Sequence, residues 1–160
     1  MNSSIITKPL TRAGIFLGVG LGGFVDGIVF HQMLQFHNML TGRIPKDTIA
    51  NTEINMFWDG IFHSFTWIMT VIGIILLFRA HRVPNVLWTN RVFTGSLFLG
   101  WGLFNLIEGV IDHHILHLHH VVEAKGESIY DFLFLLSGAI FTIGGWWVIR
   151  SAKAAAVGHK

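Results

Sequence analysis

The chain is expected to be an all-α integral membrane protein, four transmembrane helices arranged as two duplicated helical hairpins in a pseudo-two-fold bundle. Three observations say so. Of 160 residues, 52% are hydrophobic and only 12% charged, with a mean hydropathy of +0.58, whereas soluble domains carry about 25% charged residues. Four segments, about 13–36, 56–78, 92–118 and 129–149, reach the roughly 20 apolar residues that span a bilayer. A near-repeat, GFVDGIVFHQMLQFHNM at 23–39 and NLIEGVIDHHILHLHHV at 105–121, recurs at an offset of 105 − 23 = 82.

The first segment is too long for a signal peptide, carries Asp26 and His31, and has no small-residue cleavage pattern, so it is expected to remain in the protein. Gly14, Gly18 and Gly22 stand four apart on one of its faces, a spacing that lets helices approach closely. The polar stretch 40–55, with Gly42 and Pro45, reads as the loop to the second span, and Pro84–Asn85 as the turn between the halves. Extending the near-repeat upstream pairs IFLGVGL at 15–21 with LFLGWGL at 97–103, giving 9 identities over the 25 positions of 15–39 and 97–121. The second spans correspond loosely, FWDGIFHSF with IYDFLFLLS, so the internal repeats run about 13–79 and 92–150 within one membrane domain, 1–160.

Lys8, Arg12, Arg79, Arg82, Arg91, Arg150, Lys153 and Lys160 gather on one side, against Arg43, Lys46 and Lys125 on the other. By the positive-inside rule both termini are expected on the cytoplasmic side, with the lipid bilayer as the principal partner. Dispersal of the basic residues over three short segments argues against nucleic acid. With no cysteine, disulfides and thiolate ligands are excluded. A membrane-protein partner or a homo-oligomer is left open.

The repeats retain Asp26/Glu108, Gly27/Gly109, His31/His113 and His37/His119 while apolar positions drift. Counting about 1.5 Å per residue from the arginine at each helix foot brings Asp26, His31, Asp59, His63, Glu108, His113 and Asp131 to similar depth, about 20–33 Å up. Ionisable groups inside a membrane cost on the order of 2.5–3.5 kcal/mol at its centre, so seven at one level suggest function. Asp59 and His63 are i, i+4 and able to touch, as are Glu108 and Asp112; His113, His117 and His120 share a helical face.

These patterns point to one or two transition-metal ions held by Asp26, His31, Asp59, His63, Glu108, His113 and Asp131, with His37, His117, His119 and His120 as a further site or loading funnel. Imidazole suits zinc, copper, iron and nickel while carboxylates pull toward harder ions, so zinc, copper and iron stay open. His81 and His159 read as solvated bystanders. Two alternatives stand beside this reading: haem with His31 and His113 as axial ligands, and a hydrogen-bonded polar network that pins the helices without metal. No nucleophile or substrate is identifiable, and whether the chain is an enzyme stays open.

The runs GFVDGIVFHQMLQFHNM, NMFWDGIFHSF and FNLIEGVIDHHILHLHH resemble those of bacterial predicted membrane proteins grouped as domain of unknown function 2243, over most of 13–150. The resemblance implies a multi-span membrane fold and carries no activity with it.

Overall fold

A computed structural model describes residues 5–158; the expectations for His159 and Lys160 fall outside the described residues. Four helices order the chain. α1 (Lys8–Val25) continues as a π-helical segment, π1 (Asp26–Met33). α2 is Ile49–His81. α3 (Asn90–Glu108) continues as π2 (Gly109–Ile115), and α4 is Ile129–Gly158. With their π-helical extensions the four run 26, 33, 26 and 30 residues, each long enough to cross a hydrocarbon core of about 30 Å.

α1 packs on α2, α3 packs on α4, and α1 and α3 meet at the centre. Glycine makes that central crossing close. A Cβ on Gly14 would strike Ser96, one on Gly18 would strike the Leu97 carbonyl and Gly100, and one on Gly22 would strike Trp101. The stripe expected to permit close approach does so, because only hydrogen atoms stand between the backbones there. α2 and α4 flank the pair and turn large apolar side chains outward, among them Trp67, Phe78, Ile143 and Trp147. At one end, Leu10, Val92 and Ala152 form a small apolar core. At the other, the buried residues are chiefly histidine, aspartate, glutamate and asparagine.

Several boundaries differ from the sequence reading: α1 begins at Lys8 and α4 runs on to Gly158, past the expected 13 and 149, and three more lie at the polar end. α2 starts at Ile49, inside the expected 40–55 loop, because the Thr48 hydroxyl accepts the Asn51 N–H at 3.1 Å and caps the helix. The first and third spans were expected to run to 36 and 118; they stop at Met33 and Ile115. Gln35 and His117 follow with φ of 50° and 45°, left-handed geometry that a helix cannot continue through. His113, His117 and His120 therefore do not share a helical face.

After each stop the chain folds back over the bundle end. Gly42 N–H donates to the Leu118 carbonyl at 2.8 Å and Glu123 N–H to the Phe36 carbonyl at 3.1 Å, so the two loops clasp each other. Arg43 adds bonds of 2.6 and 3.0 Å to the Leu116 carbonyl. Fully buried Asn55 accepts the Leu40 N–H and donates to the Ile44 carbonyl, fastening the first loop to α2.

Candidate metal centre

The spacing Asp-Gly-x-x-x-His at 26–31 and Glu-Gly-x-x-x-His at 108–113 decides the local geometry. In an α-helix, positions five apart lie about 140° apart around the axis, and the acid would face away from its histidine. A π-helix bonds i to i+5 and brings them onto one face. The His31 Nε2 lies 3.2 Å from Asp26 Oδ2, and His113 Nε2 lies 3.1 Å from Glu108 Oε1. The glycine that follows each acid leaves room for the flanking helix: a Cβ on Gly27 would meet the His63 ring, one on Gly109 the Leu135 side chain.

Each histidine also faces a carboxylate on the flanking helix. His31 Nδ1 hydrogen-bonds Asp59 Oδ1 at 2.9 Å, whereas His113 Nδ1 lies 3.3 Å from Asp131 Oδ1 without hydrogen-bond alignment and its Nε2 pairs with Glu108 Oε1. Those carboxylates are fixed by the folded-back loops. Asp59 accepts the Met39 N–H at 2.8 Å, the Asn38 side-chain amide, and Gln32 Nε2 at 3.4 Å. Asp131 accepts the Val121 N–H at 3.0 Å and the Ser128 N–H at 2.8 Å. A carboxylate behind a histidine sets the ring's tautomer and raises its basicity as a ligand.

The loops also deliver His37 and His119 into the space between. Their rings stack at 4.4 Å, 7° from parallel. His37 stands 4.5 Å from the His31 ring, and His119 stands 4.9 Å from the His113 ring. His37 Nδ1 donates to the Val121 carbonyl at 3.0 Å, which leaves its Nε2 as a lone pair. Burial pushes His37 down to about 4, against the opposing pull of Asp26. Burial, reinforced by the neighbouring His37 and His113, drives His119 well below the ordinary range. Both rings are neutral, the form a metal requires.

What the group lacks is internal satisfaction. Asp26 Oδ2, His31 Nε2, His37 Nε2, Glu108 Oε2 and both nitrogens of His119 are buried with no hydrogen-bond partner among the described residues. Each such atom costs about 1–3 kcal/mol if left alone. His31 Nε2 and Asp26 Oδ2 approach to 3.2 Å without hydrogen-bond alignment. That is close to the edge of a tetrahedron of ligands about 2.0–2.1 Å from zinc, roughly 3.3 Å. Two triads have donor atoms within 4.8 Å of one another: His31, His37 and His119; and Glu108, His113 and His119.

A family model described as predicted membrane protein, domain of unknown function 2243, matches residues 13–152. The chain belongs to that family. No curated protein and no solved structure matches it. Family membership brings a multi-pass membrane setting, in keeping with the four spans, and leaves the chemistry of the site to its geometry.

Of the eleven residues singled out from sequence, the structure brings together Asp26, His31, His37, Glu108, His113 and His119, with Asp59 and Asp131 directly behind. His63 and His117 stand apart. His63 Nδ1 donates to the backbone carbonyl of Asp59 at 2.7 Å, not to its carboxylate, and its ring packs on Gly27. His117 is exposed. His120 reaches Asp131 at 3.5 Å. Asn38, Gln32 and Asn55 were not foreseen as supports; the signal open to sequence was that amides replace the second copy's histidines at 32 and 38. Beside Glu108, an apolar cleft of about 350 Å³ between α2 and α3 runs past Trp58, Phe65, Ile107 and Asp112, giving the site a border on the lipid-facing surface.

Proposed function

We propose that this membrane protein holds a transition-metal centre between its two helical hairpins, with His31, His37, His113, His119, Asp26 and Glu108 as ligands. Asp59 orients His31 through Nδ1, and Asp131 stands beside His113 Nδ1. The observation that carries the reading is the set of buried, converging, unpartnered nitrogen and oxygen atoms. A packing network would have paired these atoms, since each unmet one opposes folding. A cation between them takes one lone pair from each ligand, a single nitrogen in the case of His119. Imidazole and carboxylate donors without thiolate suit zinc, copper or iron.

His119 belongs to both triads, so its one lone-pair nitrogen can serve an ion in either triad. Haem is the poorer fit. The His37 and His119 rings occupy the space between His31 and His113, where a porphyrin would have to lie.

We further infer that the two halves descend from one duplicated hairpin. At an offset of 82 the same backbone bonds recur: Leu34 N–H to Val29 and Leu116 N–H to Ile111, then Phe36 N–H to Phe30 and Leu118 N–H to Asp112. Placed in a bacterial inner membrane by the positive-inside rule, with both termini cytoplasmic, the centre lies at the periplasmic end. The burial and the carboxylate supports favour a resident centre, used in redox chemistry or metal handling. Chelator-competition titration tests the ligand set: His31→Ala, His37→Ala and His119→Ala each lose metal, while His63→Ala and His81→Ala keep it. Full occupancy in the first three would sink the proposal.

A further inference from the structure

At the opposite end of the molecule, between the first turns of α1 and the last turns of α4, lies a cavity of about 650 Å³. Lys8 and Arg12 line it from α1, and Arg150 and Lys153 from α4; Leu99, Trp146 and Ile149 give it an apolar wall. Four cations around one space call for an anion, and the side chains of this chain do not supply one. All nine Asp and Glu residues lie at positions 26, 47, 53, 59, 108, 112, 123, 127 and 131, toward the histidine end. Along α1 the nearest is Asp26, 14 residues from Arg12, about 21 Å at helical rise. Along α4 it is Asp131, 19 residues from Arg150, about 28 Å.

Other donors face the same space. Thr7, in the N-cap position just before α1, makes no side-chain capping bond, so the positive end of the helix dipole is open there. The buried Thr11 hydroxyl, also on the cavity, has no partner among the described residues. The Arg150 guanidinium rests 4.9 Å above the Trp146 ring, an apolar seat that fixes the ion at the level of the lipid headgroups.

We propose that this cavity binds the phosphodiester headgroup of an anionic phospholipid. Arg12 and Arg150 grip the phosphate oxygens, since a guanidinium matches them with paired donors. Lys8 and Lys153 add charge at the rim, and the acyl chains descend along Trp146 and Ile149. A basic pocket between transmembrane helices is the expected form of such a site. The volume exceeds what one inorganic phosphate would fill, and the apolar wall gives a free ion nothing to contact, which favours the lipid as the source of the phosphate. The metal reading plays no part in this proposal.

Native mass spectrometry of the full chain, released from mixed phosphatidylglycerol and phosphatidylcholine micelles, tests it. Wild type is expected to retain phosphatidylglycerol at least tenfold over phosphatidylcholine. The double variant Arg12→Gln/Arg150→Gln is expected to lose that preference, and Arg79→Gln, outside the cavity, to keep it. Equal retention of the two lipids by wild type overturns the proposal whether or not the double variant folds. So does an Arg79→Gln loss as large as the double variant's, which would mean diffuse surface charge. Displacement of the lipid by inorganic phosphate at equal concentration would assign the cavity to the free ion and overturn the lipid.

Discussion

Replacing Asp59 with asparagine separates a residue that aims a ligand from a residue that is one. Asp59 receives the His31 Nδ1 at 2.9 Å and the Met39 N–H at 2.8 Å on one oxygen, and Asn38 and Gln32 amides on the other. An asparagine oxygen keeps the first two bonds. The new amide would face Asn38, which can turn its own buried, unpaired Oδ1 toward it. The fold should therefore lose only about 1 kcal/mol, the net worth of an ordinary hydrogen bond. The ligand loses more, because the negative charge that anchors the Nδ1 proton and enriches Nε2 is gone. Supports of this kind are worth about 10–100-fold in metal affinity, or about 1.4–2.7 kcal/mol. Competition against a chelator of known strength, run on Asp59→Asn and His31→Ala, reads the difference. Wild-type affinity in Asp59→Asn would refute the positioning role, and a loss equal to that of His31→Ala would make the carboxylate itself a ligand.

Other outcomes follow from the same geometry. Gly18→Val drives a side chain into the Leu97 carbonyl and Gly100, and should cost about 1–3 kcal/mol, read as a lower thermal midpoint in detergent; an unchanged midpoint would contradict the close crossing of α1 and α3. Arg43→Ala, which frees the Leu116 carbonyl, should loosen the clasped loops and speed metal release without altering helix content, measured by chelator-driven loss over time. In metal-free protein, the unfolded His37 ring takes up a proton near 6.5 and the folded one only near 4. The unfolded chain thus binds more protons in that interval, so stability is full above pH 6.5 and falls as pH drops toward 4. Thermal midpoints measured in chelator at successive pH values check the sign; a constant midpoint from neutrality to pH 4.5 would be inconsistent with burial of this ring.

The four spans were legible because a bilayer imposes a length and a composition that few other settings share. The site was legible in part because the repeat retained Asp26/Glu108, His31/His113 and His37/His119 against drifting apolar neighbours. Depth along straight helices placed the acids and His31 and His113 at one level, and that part of the reasoning needs only helical rise. What it could not supply was curvature of the chain. The turn at Gln35 and its counterpart at His117 send His37 and His119 back into the bundle, and no 3.6-residue period encodes a reversal. The same straight-helix assumption placed His117 on a face with His113; on α2, which is regular, His63 misses the Asp59 carboxylate because His31 and the folded-back loop occupy it. The five-residue step from acid to histidine was in plain view, and it is the mark of a π-helical turn, because an α-helix would point the two apart.

Elemental analysis by mass spectrometry on the detergent-purified protein, with an absorption spectrum from the same sample, tests the metal centre most directly. One or two equivalents of zinc, copper or non-haem iron per chain are expected, falling away in His119→Ala, the variant common to both triads. Metal-free wild-type protein that takes up none of these ions on addition, or iron accompanied by a Soret band, would contradict the proposed centre.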